Sequence, residues 1–323
     1  MMKPDRDRLR VADIAAQFGV SVEELIAIYP GITILLNDGL EYTRLEDQEA
    51  QKIIQEIEAG VRQSGGAKPV LTVEQAYDQD WSRRRGLLEA TGNLAYTSLR
   101  DTEIMRDPGG TRILRLNGQY VLADVRFESR WFAIFREWVA RSYLQGFHTI
   151  VEFGAGGGEN LAAISSLFPD KHFVGLDRSP ASGSMVSLLG KLLQRDIVGG
   201  CCDMKEPTAA PVLLDGHTAV LTVNALEQVG KDWKPFVDYL LSRKPGVVVN
   251  IEPIIEWYEP DSPFDAAAIY QHRASGYLEG YAQRIQELHE RGEVAIIKAK
   301  RTYMGTRGQD SYGLLVWRCG PDA

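Results

Sequence analysis

The run Thr149-Ile150-Val151-Glu152-Phe153-Gly154-Ala155-Gly156-Gly157-Gly158-Glu159-Asn160 joins a short apolar strand to a glycine turn and the start of a helix. Glycines at 154, 156 and 158 remove Cβ atoms where the chain turns, so backbone can approach a ligand and the next helix can pack on the strand. Roughly twenty residues on, a second apolar strand beginning at His172 ends in Asp177. An ionised carboxylate there can accept both vicinal hydroxyl hydrogens of a ribose. The two features predict a nucleoside-bearing cofactor. Its charge is narrowed by two acids. A dinucleotide turn has a third glycine where this chain has Glu159, and it aims a helix N-terminus at a pyrophosphate. Glu159 and Glu152 would repel phosphate and suit a ligand carrying an ammonium and a sulfonium.

The pattern hydrophobic-acidic-hydrophobic-Gly-x-Gly-x-Gly resembles motif I of the class I S-adenosylmethionine (SAM)-dependent methyltransferases, and the likeness covers about residues 147 to 319. The resemblance implies SAM as cofactor, held at the turn by Glu152, Gly154, Ala155, Gly156, Gly158 and Asn160. It places Asp177 and Arg178 at the ribose, Asp203 and Met204 at the adenine, and Asn224 near the methyl group. The fold it implies is α/β: a seven-stranded, mostly parallel, Rossmann-like sheet with an antiparallel C-terminal strand. One departure from the family pattern is visible. Lys205 to Gly216 is too short and proline-rich for a full helix.

Methyl transfer from a sulfonium is an in-line displacement, so the site must align the nucleophile and exclude water. A base is needed for a hydroxyl acceptor, useful for an ammonium and unnecessary for a thioether. Past the fifth strand, Glu252, Glu256, Trp257 and Tyr258 mix acids with aromatics, a composition that suits a cation. Arg273 offers a fork for a substrate carboxylate, and His272 is the histidine placed to serve as a base. The catalytic expectation is therefore His272, Glu256, Tyr258, Glu252 and Arg273, with N- or S-methylation of a small amine or amino-acid-like acceptor such as methionine. Alternatives are O-methylation of a sugar or secondary metabolite, a SAM-sensing regulator and an NAD-dependent oxidoreductase. The blander reading of the same run packs Trp257 and Tyr258 in the core and leaves the acids solvated.

From Thr149 onward short strands alternate with helical stretches, the pattern of a parallel sheet covered on both faces. Strands are expected at 172–177, 197–203, 218–224 and 247–252, with helices at 160–168, 182–194 and 233–243. A long helical region is expected over 264–291, and two final strands at 293–304 and 311–318. Upstream, residues 73–146 read as a mostly helical lid over the cofactor. Within it, Trp131, Ile134, Phe135, Trp138 and Val139 form an apolar stripe at helical spacing, and 93–120 reads as a loop and short hairpin. Residues 1–60 read as a helical N-terminal domain with a third helix over 46–59, and 61–72, containing Gly65-Gly66 and Pro69, as a linker. The resemblance implies a methyltransferase domain over 147–323.

The formal charge of −8 over 323 residues argues against a nonspecific nucleic-acid partner. Val11 to Tyr29 has a helix-turn-helix look, but its second helix carries Glu23 and Glu24 and no Lys or Arg. A helical cap or homodimerisation element is the plainer reading. No apolar run approaches a membrane span, and the first ten residues lack the apolar stretch of a signal peptide, so no membrane partner and a cytoplasmic location are expected. The three cysteines, Cys201, Cys202 and Cys319, form no C-x-x-C pair and predict no metal site.

Overall fold

The computed structural model describes residues 6–32, 36, 40–64 and 73–320, so most of the expected linker at 61–72 lies outside the described residues. Near the N-terminus, helices Val11–Phe18 and Val22–Ile28 meet at Gly19, whose φ of 68° makes the turn, and Ser21 caps the second through the Glu24 amide. The third helix runs over Asp47–Ser64, longer than expected. This region is not purely helical. Strand β1 (Asp7–Arg8) pairs with β2 (Glu41–Arg44), and β2 pairs with the second strand of a hairpin, β3 (Thr111–Leu116) and β4 (Gln119–Asp124). The hairpin is the short one expected within 93–120, whereas β1 and β2 went unread, because two to four residues are too few to show an alternation.

The main sheet contains β5 (Thr149–Phe153), β6 (His172–Asp177), β7 (Ile197–Cys201), β8 (Thr218–Val223), β9 (Val247–Glu252) and β10 (Val294–Lys300). After β11 (Met304–Thr306) comes β12 (Gly313–Cys319). The sheet order is β10-β12-β9-β8-β5-β6-β7, parallel from β9 to β7, with β12 antiparallel to both β9 and β10. This is the seven-stranded fold that the resemblance implies. β8 and β9 are buried along their whole length, which explains the aliphatic and β-branched residues of β8 and the Val247–Val249 run of β9, whose buried Asn250 and Glu252 are hydrogen-bonded. β11 leaves the main sheet and pairs with β3, tying the small sheet to the large one.

Two apolar layers cover the main sheet. One face packs against the N-terminal helices and helix Phe127–Val139, with Phe18, Trp131, Phe135 and Trp138 in mutual ring contact. The other packs helices Lys234–Arg243 and Tyr281–Glu290 through Phe236, Leu240, Tyr281 and Ile285. The expected long helical region is therefore two helices, Pro263–Ala274 and Tyr281–Glu290, separated at Gly276 and Gly280, both with positive φ. The expected loop at 93–120 also holds more structure, namely a 3-10 turn at Leu94–Thr97 and helix Leu99–Arg106 before the hairpin. Between β7 and β8 stands only the 3-10 turn Pro207–Ala209, as the short proline-rich spacing requires.

The chain winds from β5 outward to β7, then crosses back to β8 on the other side of β5. The strand order reverses between β5 and β8, and a crevice must open beyond their C-terminal ends.

Candidate active site

A cavity of about 410 Å³ occupies that crevice, within the range of small-molecule sites. Its floor is the glycine turn after β5. Gly154 has φ 75°, and a Cβ placed there would lie 2.2 Å from Ala225 Cβ beyond β8, so the two strand ends meet closely only because residue 154 has no side chain. A Cβ at Gly157 would lie 2.1 Å from the Thr97 carbonyl, where the 3-10 turn of the lid presses on the loop. Asp177, at the end of β6, holds the turn: one carboxylate oxygen accepts from the Gly156 amide at 3.0 Å and the other from the Ser179 amide at 2.9 Å. Burial raises its pKa, and these backbone donors oppose the rise.

The cavity gathers most of the residues expected at the cofactor: Gly154, Ala155, Gly156, Asn160, Asp177 and Arg178, then Asp203, Met204 and Asn224. Gly158 stands behind the turn against Val186 and Leu189. Glu152 lies one layer deeper, 1% exposed; its Oε1 accepts from Asn160 Nδ2 at 2.7 Å and its Oε2 has no hydrogen-bond partner. Burial pushes this carboxyl up to about 8. An orphaned buried carboxylate oxygen beside a glycine cradle fits a cationic cofactor better than a phosphate-bearing one. Cys202 also lines the cavity, and burial pushes its thiol up to about 11.

The expected catalytic set is not brought to this cavity, and the reading that put it there is corrected by its burial and bonding. Glu252 is fully buried and accepts from the amides of Ala225, Leu226 and Glu227, so it fixes the loop after β8. Glu256 accepts from the Gly280 amide and Tyr258 donates to the Asp310 carbonyl. Tyr258 is stacked against Arg115 and Arg301, whose guanidinium groups interlock with Asp265 and Asp310 in a buried cluster. Arg273 pairs with Glu279 on the surface. His272 is fully buried, its Nε2 2.6 Å from the Leu278 carbonyl, and burial lowers its pKa.

Other residues take the expected places. Arg100, from helix Leu99–Arg106, donates to Glu159 at 2.8 Å and lies over the rings of Phe132 and Tyr312. Asn224, in the left-handed region at φ 48°, satisfies its neighbours with its amide assigned so that the oxygen accepts from Arg100 Nη2 at 3.2 Å and the nitrogen donates to the Ser311 carbonyl at 2.6 Å. Glu159 thus compensates a buried arginine. Glu227 lines the cavity three residues beyond Asn224, 8% exposed, bonded to Gln228 and Gln309. Burial, reinforced by neighbouring Glu252, pushes its pKa up to about 8; burial raises Glu252 itself to about 7. Sequence reasoning passed over Glu227 and Arg100; an acid just past the strand on the far side of the reversal point was the available signal. Tyr77 and Trp81, from helix Val73–Thr91, close the cavity from the lid side. Among the described residues no cluster of His, Cys, Asp and Glu could hold a metal, and no helix is long and apolar enough to cross a membrane.

No protein-family model matches the chain, and no curated protein matches it. Among solved structures it is similar to the CurJ carbon methyltransferase, at 12% identity over 97% of this chain and 100% of that one, with a TM-score of 0.44. It is similar to the citrinin polyketide synthase CMeT domain at 13% identity over 87% and 83%, with a TM-score of 0.42. To the mitomycin 7-O-methyltransferase MmcR the figures are 14% identity over 98% and 89%, with a TM-score of 0.40. The sheet of this chain, parallel from β7 to β9 and closed by antiparallel β12, has the strand arrangement that its resemblance to the class I SAM-dependent methyltransferases implies.

Proposed function

We propose that this protein transfers a methyl group from SAM to the nitrogen of a small amine or amino-acid-like acceptor, with Glu227 taking the proton that the nitrogen sheds. One observation carries the reading. Glu227 stands in the cavity wall beyond Asn224, and among the described residues no cation lies within ion-pair distance of it. A carboxyl held up to about 8 by burial and a neighbouring acid is ionised cheaply only when a cation arrives beside it. An ammonium acceptor is such a cation, and it also brings the proton that must leave.

Bound SAM supplies an electrophilic methyl group on a sulfonium. The chain's residues do the rest. The glycine turn admits the cofactor's backbone contacts, Asp177 is placed for the ribose hydroxyls, and the unpartnered Glu152 oxygen stands behind the turn, where an arriving cation favours the ionised acid. Asn224, clamped between Arg100 and Ser311, fixes the end of β8. Tyr77 and Trp81 help to keep water from the nucleophile. Glu227 accepts the ammonium proton at a carboxylate oxygen and frees the lone pair for in-line attack. A hydroxyl acceptor is the second reading, favoured by the same carboxylate. A thioether such as methionine would give Glu227 no proton to take.

The test is incubation with methyl-labelled SAM and a pool of amines, amino acids, hydroxyl compounds and thioethers, read by mass spectrometry. Label in a methylated amine is expected, and label in an ether moves the reading to O-methylation. Label only in a sulfonium product, at a rate unchanged in Glu227→Gln, would overturn the role of Glu227.

A further inference from the structure

Glu227 and His272 belong to different elements, yet one side chain joins them. Gln309 Nε2 lies 3.1 Å from Glu227 Oε2, and Gln309 Oε1 lies 3.3 Å from His272 Nδ1. The far ring nitrogen, His272 Nε2, is 2.6 Å from the Leu278 carbonyl oxygen. A carbonyl only accepts, so Nε2 carries a hydrogen. In a neutral imidazole the other nitrogen, Nδ1, is then a bare acceptor and must face a donor. Gln309 can offer Nδ1 its NH2 only by turning its oxygen toward Glu227, and two oxygens about 3 Å apart require a hydrogen between them. Glu227 must then be protonated. With the amide turned the other way, its NH2 faces an ionised Glu227 and its oxygen faces Nδ1, which must now carry a hydrogen. His272 is then an imidazolium.

We propose that Gln309 is a two-position amide switch that locks the protonation of Glu227 to that of His272, so that the carboxylate form of Glu227 exists together with a charged His272. The two states hold the same number of protons and interconvert by the amide flip, with one proton leaving Glu227 and one arriving at His272. His272 is a positioning residue here, since it lies behind the cavity wall and touches no part of the cavity. Burial disfavours the charged pair, so the resting protein holds neutral His272 and protonated Glu227, with the Gln309 amide turned opposite to the 3.1 and 3.3 Å contacts above; its oxygen and nitrogen are told apart by hydrogen bonding alone. A cation in the cavity reverses the preference by stabilising the carboxylate. The remaining charged neighbours pull in opposite directions at each end: Glu252 disfavours and Arg100 favours the carboxylate of Glu227, while Glu279 favours and Arg273 disfavours the imidazolium of His272. Tyr277 stands edge-on to the His272 ring at 5.6 Å.

The inference rests on Glu227 as the proton acceptor of the proposed reaction, and its test does not need turnover. Nitrogen-15 NMR of histidine-labelled full-length protein, with His272 assigned by the signal lost in His272→Gln, reads the ring state directly. At pH 7 the unliganded protein should show the neutral tautomer protonated on Nε2. Adding SAM alone, a cation for the cavity, should raise the His272 pKa by about one unit or more, the size expected for a carboxylate appearing a side-chain length away. In Gln309→Leu, which keeps volume and loses both polar atoms, SAM should move it by clearly less, since only the through-space effect remains. A neutral ring protonated on Nδ1, or an equal SAM-induced shift in Gln309→Leu, overturns the switch. If Gln309→Leu does not fold, the wild-type tautomer and SAM titration decide alone. Should Glu227→Gln retain full methyl transfer, the catalytic reading falls, while the NMR arms still report whether the switch exists.

Discussion

Replacing Glu227 by Gln should make the protein more stable at high pH. Glu227 is 8% exposed and its carboxyl is held at about 8 against an ordinary value of 4.5. At 1.36 kcal/mol per pH unit, that difference amounts to roughly 5 kcal/mol of preference for the neutral acid in the folded protein. Between pH 4.5 and 8 the folded chain keeps a proton that the unfolded chain has released, so raising the pH through this window favours unfolding. Below 4.5 both states are protonated and the effect vanishes; above 8 the full cost is present. Gln resembles the neutral acid at every pH. The stability gap between Glu227→Gln and wild type should therefore widen by as much as about 4 kcal/mol from pH 5 to pH 9. Glu252, relieved of its neighbour's charge, should titrate at lower pH in the variant and take back part of that gain. Urea denaturation at pH 5, 7 and 9, with slopes compared to confirm two-state unfolding, measures the gap. Parallel pH profiles for the two proteins would refute the placement of a costly buried carboxylate in this wall. Saturating wild type with SAM should also flatten its profile, because the sulfonium offsets the same charge.

Asp177→Ala should weaken SAM binding, measured by calorimetry, by about 1–3 kcal/mol through the loss of charged hydrogen bonds. The variant also frees the Gly156 amide that Asp177 now holds, so the turn should exchange amide hydrogen faster; unchanged affinity would place the ribose elsewhere. Gly157→Ala sets a Cβ against the Thr97 carbonyl, and the resulting overpacking should cost about 1–3 kcal/mol in denaturation. Full stability there would mean that the 3-10 turn at Leu94–Thr97 stands off the loop. Arg115→Met removes a fully buried guanidinium bonded to Asp310 at 2.7 Å and Asp265 at 2.6 Å, which should cost about 3–5 kcal/mol. Because Asp310 lies between Gln309 and Ser311, this variant should also lose SAM affinity, and calorimetry on the folded fraction checks it.

Much of the α/β core was legible from local signals. A glycine turn needs positive φ at particular residues, so Gly154, Gly156 and Gly158 announce themselves in the chain. A strand buried on both faces is mostly apolar, so β8 and the Val247–Val249 start of β9 are visible as aliphatic and β-branched runs. Of the small antiparallel sheet only the hairpin was legible; its assembly was not, since β1, β2, β3, β4 and β11 come from segments almost 300 residues apart and β1, β2 and β11 have two to four residues each. The catalytic expectation failed for a related reason. Glu252, Glu256 and Tyr258 cluster in sequence with aromatics, but their polar atoms are consumed by backbone amides and a carbonyl that only folding brings near.

The sequence by itself determined the turn, the strand-end Asp177 and the alternation that yields a parallel sheet, because each follows from backbone sterics or burial within a few residues. Tertiary structure decided which acid faces the cavity. Crossing from β7 back to β8 lays Ala225 against Gly154 and turns Glu227 into the wall, and the closing β11–β12 segment delivers Gln309 to it. Arg100 meets Glu159 and Asn224 only when the lid docks. A charge acquires its chemistry from the neighbours and the water it is left with, and those are properties of the packed chain.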